Sequence, residues 1–159
     1  MKTIRDAFLI GLAAVLISSS PAADSPAVQK DMAQLQGEWS MVSGSADGQP
    51  MPDAMLSQAR RVCKGDEITV MIGAQTMMKA KITIDPSKNP KTIDYEVIGG
   101  PNKGKRQLGI YELDGEKFKS CFGAPGDERP MDFTSKSGDR RTSSVWKREK
   151  EAAPKRPRG

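Results

Sequence analysis

The sequence predicts an all-β domain: an eight-stranded antiparallel up-and-down barrel with one short helix. Three observations carry that reading. From Leu35 onward, short apolar runs alternate with turn residues at intervals of roughly eight to fifteen positions. Nearly every run is apolar on one side only, as in a sheet that encloses a single interior. The links between runs are rich in Gly, Asp and Pro, and most are short enough for hairpins.

The elements follow in order. Residues 37–43 form the first strand. A loop with Asp47, Gly48, Pro50 and Pro52 comes next, then one helical turn over residues 53–59 that Asp53 is placed to cap. Residues 61–64 and 67–72 pair around Gly65 and Asp66, and residues 73–76 turn the chain into a strand at 77–84. Pro86 and Pro90 end that strand, because neither has an amide hydrogen for a ladder. Residues 92–98 are the fifth strand, closed by the turn at 99–102. Residues 106–113 and 117–122 form a hairpin around Asp114 and Gly115. A loop at 124–130 leads to a short extended piece at 131–133, and residues 141–148 are the last strand.

Alternation assigns the faces. Ile68, Val70 and Ile72 share one, as do Met78, Ala80, Ile82 and Ile84. Ile93, Tyr95 and Val97 form another inward set, with Leu108 and Ile110, and then Phe118 and Phe122, completing the interior. Lys79, Lys81, Asp94, Glu96 and Lys119 fall on the opposite, solvated side.

Residues 1–22 have the form of a signal peptide. Lys2 and Arg5 precede an uninterrupted run of apolar and small residues at 7–17, too short to span a bilayer, and Ser20-Pro21-Ala22 offers a cleavage site. The mature chain is therefore expected to be exported, periplasmic or extracellular, without a transmembrane segment. Residues 23–34 read as a polar linker or short helical lead-in, 35–148 as the barrel and 149–159 as a disordered basic tail.

The net charge of +5 suggests nucleic acid until it is partitioned. Residues 23–146 hold 17 basic and 17 acidic side chains, so the excess lies at the two ends. A neutral domain has no field with which to hold a phosphate backbone, and no nucleic-acid partner is expected. The chain has no histidine, which removes the commonest general base and zinc ligand. An enzyme is not expected, nor a metal or other cofactor.

The segment LQGEWSMVSGSADGQPMPD opens the domain, with Gly37-Glu38-Trp39 on its first strand. A Gly-x-Trp in that place resembles the lipocalin signature, in which the Trp plugs the closed end of the barrel beneath a late basic residue. The resemblance implies Trp39 as the plug, with Arg148 a fitting cation over its ring. KGDEITV, the 85–94 stretch, GIYELDG and CFGAPGDERPMDF follow in order. Together they resemble a family of uncharacterised, secreted, lipocalin-like domains abundant in planctomycete bacteria, over residues 35–147. That resemblance implies a lipocalin-like barrel and export, and brings no catalytic residues with it. Cys63 departs from it, where an aliphatic side chain is more usual.

Candidate sites are few. Cys63 and Cys121 could form a disulfide after export, but alternation turns both outward on strands that are not neighbours, which favours separate thiols. Asp94, Glu96, Glu112 and Asp132 lie near aromatic residues, yet nothing makes them converge as a glycosidase pair must. Glu112 is the exception to watch. It shares the Leu108 and Ile110 face, so it is expected inside the barrel or at its rim, with Arg129 or Arg106 as its partner. The Gly-rich segment 99–105 lacks the ending and the helix of a phosphate loop and reads as a hairpin turn. Methionines, clustered at Met71, Met77 and Met78, suit a compliant apolar pocket or simple core filling.

The expected function is a non-enzymatic binding domain, a monomer, holding a small apolar or amphipathic ligand in the barrel mouth. The alternative is a protein- or cell-wall-interaction module with a filled barrel. A cavity separates the two.

Overall fold

A computed structural model describes residues 25–150. The expected signal peptide and residues 151–159 of the basic tail lie outside the described residues.

The chain forms an all-β, lipocalin-like barrel. Its strands are β1 (Gly37–Ala46), β2 (Gln49–Pro50), β3 (Ala59–Lys64), β4 (Glu67–Ile72), β5 (Gln75–Asp85), β6 (Lys91–Gly99), β7 (Arg106–Asp114), β8 (Lys117–Phe122) and β9 (Thr142–Arg148), with helices α1 (Pro26–Leu35) and α2 (Asp53–Leu56). Antiparallel pairing runs β1-β3-β4-β5-β6-β7-β8-β9 and returns from β9 to β1, closing eight strands. The short β2 folds back on β1 through a turn at Asp47 and Gly48, both at positive φ, as a two-residue Asp-Gly hairpin requires. This extra strand has no counterpart in the sequence reading. The piece at residues 131–133 forms no strand.

Up-and-down order gives the barrel two unlike ends. The turns after β3, β5 and β7 lie at the end where β1 begins. The links after β1, β4, β6 and β8 lie at the other.

Helix α1 covers the first end. Residues 23–34 were open between a linker and a helical lead-in, and the helix prevails for local reasons. Ser25 caps it, its Oγ accepting from the Val28 amide at 3.2 Å, and Pro26 opens the first turn. Val28, Asp31 and Leu35 share the buried side, at the spacing of one helical stripe. Gln36 then fastens the helix to the β3–β4 turn, donating to the Gly65 carbonyl at 2.9 Å and accepting from the Gly65 amide at 2.8 Å.

Most faces follow simple alternation. Ile68, Ala80, Ile82, Ile84, Ile93, Tyr95, Phe118 and Phe122 join Trp39 and Trp146 in one core. Strand β7 differs from expectation by one register step. Gly109, Tyr111 and Leu113 face inward, because Gly109 opposes Phe122 and Leu113 opposes Phe118. Gly109 is required there: a Cβ would stand 2.4 Å from the Phe122 ring. Ile110 points outward, yet it is buried beside Pro130 and Met131 of the long β8–β9 link. An outer face covered by a loop looks like an inner face in sequence.

Residue Glu149, assigned to the tail, still belongs to the barrel. Its amide donates to the Glu38 carbonyl at 2.8 Å.

Candidate functional site

The closed end is built around Trp39, which is fully buried. Gly37, at φ +98°, adopts a backbone conformation that favours glycine and starts the strand two residues before the plug. The indole Nε1 donates to the Leu35 carbonyl at 3.0 Å. Arg148 lies over the ring with Cζ 4.3 Å from the centroid. Its guanidinium also donates to the carbonyls of Gln36 (2.7 Å), Gly115 (3.3 Å) and Gln34. Nearby, buried Asp31 accepts from the Tyr111 hydroxyl at 2.7 Å and pairs with Lys91 at 2.8 Å. Burial and the Asp31 carboxylate together hold the Tyr111 proton far above the usual phenol range. This end is shut by satisfied contacts.

The other end is open. A cavity of about 370 Å³ enters the barrel there, within the size range of small-molecule pockets. Met41, Met51, Met55, Met77 and Met78 contribute to its wall, with Val70, Ile72, Phe122 and Trp146. Two local features bring the methionines in. The link between β1 and β3, with α2 in it, supplies Met51 and Met55. A bulge between Val70 and Met71 of β4 and the β5 residues opposite them inserts Met77 as an unpaired residue. Met55 and Met77 each remain 37% exposed, so the opening has an apolar rim. Asp53 does not cap α2: Pro52 occupies the N-cap position, and no side chain caps the helix.

The polar groups of the cavity are of two kinds. Ser144 Oγ accepts from Trp146 Nε1 at 2.9 Å and lies 3.1 Å from Ser120 Oγ. Tyr95 stacks on Phe122, centroids 4.1 Å apart, and burial pushes its hydroxyl above the ordinary phenol value while the charge and N–H groups of nearby Arg61 oppose the shift. These groups are engaged or neutral. Arg61 differs: it is 1% exposed and rests on Phe118 with Cζ 4.5 Å from the ring centroid. Among the described residues none of its three guanidinium nitrogens makes a hydrogen bond of good geometry, and the Tyr95 hydroxyl is its polar neighbour.

Arg61 was missed because β3 reads Ala-Arg-Arg-Val-Cys-Lys, and turning Cys63 outward turns Arg61, two residues before it, outward as well. The register instead sets Arg61 opposite inward Trp39 and Val70, and Cys63 opposite Ile68. Cys63 is thus inside rather than outward. Burial raises its thiol pKa, against the Arg61 charge. Cys121 does point away from the core, but the β8–β9 link covers it, its Sγ lies 3.7 Å from the Thr134 carbonyl, and burial pushes its pKa to about 11. Both thiols are free and buried.

Glu112 is corrected. It is exposed and sits opposite Lys119 across the β7–β8 ladder, because Tyr111 and Leu113 take the inward positions. Arg106 and Arg129, its suggested partners, bind Asp94 instead, at 2.8 and 2.5 Å. Asp94 borders an outer groove of about 480 Å³ between the β5–β6 turn and residues 129–131. Its carboxylate is fully engaged there.

Fold and site together define a class: a closed eight-stranded barrel, plugged at one end and hollow at the other. No family model, curated protein or solved structure matches the chain. Among the described residues no helix is long and apolar enough to cross a membrane.

Proposed function

We propose that this protein is an exported, non-enzymatic binding domain, of the secreted lipocalin-like kind its motifs resemble. It holds a small apolar or amphipathic molecule in the open end of the barrel. The observation that supports this reading is the cavity of about 370 Å³, walled by methionines and aromatic rings and reached through an apolar rim. Small barrels ordinarily fill themselves with side chains, so retained interior space calls for an occupant. Methionine side chains are unbranched and polarisable, and they adapt to ligands of more than one shape. The alternative module was expected to have a filled barrel, which the open interior disfavours. Native mass spectrometry of protein purified from its own host tests the proposal. A retained small molecule supports it, and a co-purifying macromolecule with an empty barrel contradicts it.

A further inference from the structure

The cavity contains one cation, Arg61, that no carboxylate pairs among the described residues. A guanidinium presents five N–H donors and keeps its proton at any physiological pH, so burial cannot be relieved by neutralisation as it can for lysine. Arg61 is 1% exposed, and among the described residues its Nε, Nη1 and Nη2 make no well-formed hydrogen bond; the Tyr95 hydroxyl beside it is neutral and can meet at most one or two of its five N–H groups. The cation–π contact with Phe118 offsets only part of the desolvation. Among the described residues no carboxylate lines the cavity. The buried carboxylate at the closed end, Asp31, is taken by Tyr111 and Lys91, and Asp94 is held outside the wall by Arg106 and Arg129. Sequence position also fixes where Arg61 acts. It opposes Trp39 in the β1–β3 ladder, so it lies next to the plug, away from the mouth at Met55 and Met77.

We infer that the natural ligand is a single-chain amphiphile with a carboxylate head, seated head-inward on Arg61 with its apolar tail running among the methionines to the mouth. This rests on the binding function proposed above and names its ligand class. A carboxylate accepts two parallel N–H bonds from a guanidinium fork. One unit of positive charge matches one carboxylate. A phosphate monoester, near two negative charges, would bring a second charge into the interior unpaired.

Calorimetric titration with decanoate, decyl phosphate and decanol tests the inference, on the wild-type chain and on Arg61→Met. Wild type is expected to bind decanoate roughly 10- to 100-fold more tightly than decanol, the scale of a charge-assisted hydrogen bond, and more tightly than decyl phosphate. Arg61→Met should lose that preference while still binding decanol. The wild-type comparison stands even if the variant folds poorly. Equal binding of decanoate and decanol, or a preference that survives Arg61→Met, overturns the head assignment and leaves the apolar cavity reading intact. Tighter binding of decyl phosphate overturns the choice of carboxylate. Binding of none of the three overturns both readings.

Discussion

Arg148 lies over Trp39, its Cζ 4.3 Å from the ring centroid, while its guanidinium ties together the carbonyls of Gln34, Gln36 and Gly115. One side chain near the end of the described chain thus joins the end of α1, the start of β1 and the β7–β8 turn. Arg148→Ala removes the cation–π contact and leaves three carbonyls short of a donor. The expected loss is about 2–4 kcal/mol in urea unfolding. Arg148→Lys should recover only part of it, since an ammonium cannot reproduce the fork. A loss below about 1 kcal/mol for the alanine variant would reduce the contact to an ordinary surface pair.

Arg61 behaves oppositely. A buried cation without a carboxylate to pair it costs stability, so an apolar side chain of similar length should fit the fold better. Arg61→Met is expected to raise the unfolding free energy of ligand-free protein by about 1–4 kcal/mol. A fall of that size in denaturant titrations would mean that the cation is already well satisfied without a ligand.

Stability should decline at alkaline pH. Burial raises the pKa values of Cys63, Cys121, Tyr95 and Tyr111 in the folded chain. The unfolded chain therefore releases these protons first, from about 9.0 for the thiols and about 10.0 for the phenols. The stability these groups contribute is complete below that range. It is lost progressively as pH rises toward the Cys121 value of about 11. Unfolding midpoints at pH 7, 9 and 10.5 should fall in that order, mainly between the last two; a flat series contradicts the burial of these groups.

The two cysteines should titrate as separate thiols. Denatured, unreduced protein is expected to react with two equivalents of a thiol reagent. Native protein at pH 8 should react far more slowly, because both sulfurs are buried and un-ionised. No reaction after denaturation would reveal a disulfide.

The strand pattern was legible wherever one face met solvent. In β5, Lys79 and Lys81 lie outside while Ala80, Ile82 and Ile84 lie inside, and period-2 counting suffices. It failed at β7, whose outer face at Ile110 is covered by residues 129–131: Ile110 became buried on the wrong side, and Glu112 was drawn inward with it. It failed again at β3, where a charged residue inside and a valine outside invert the usual preference. Arg61 was hidden for the reason that makes it informative. Helix α1 was legible only as one of two readings of residues 23–34, because its buried stripe includes an aspartate whose partners, Tyr111 and Lys91, lie far along the chain.

The central claim is that the open end of the barrel receives a small molecule, and filling that space tests it most directly. Val70 lines the cavity on β4, and Val70→Phe adds a ring to the interior at modest risk to the fold. Calorimetric titration of decanol into both proteins should show saturable binding to wild type with a negative heat-capacity change. Val70→Phe, checked by its unfolding midpoint, should bind at least roughly tenfold more weakly. Absence of saturable binding to wild type, or unchanged affinity in a folded Val70→Phe protein, would contradict the account.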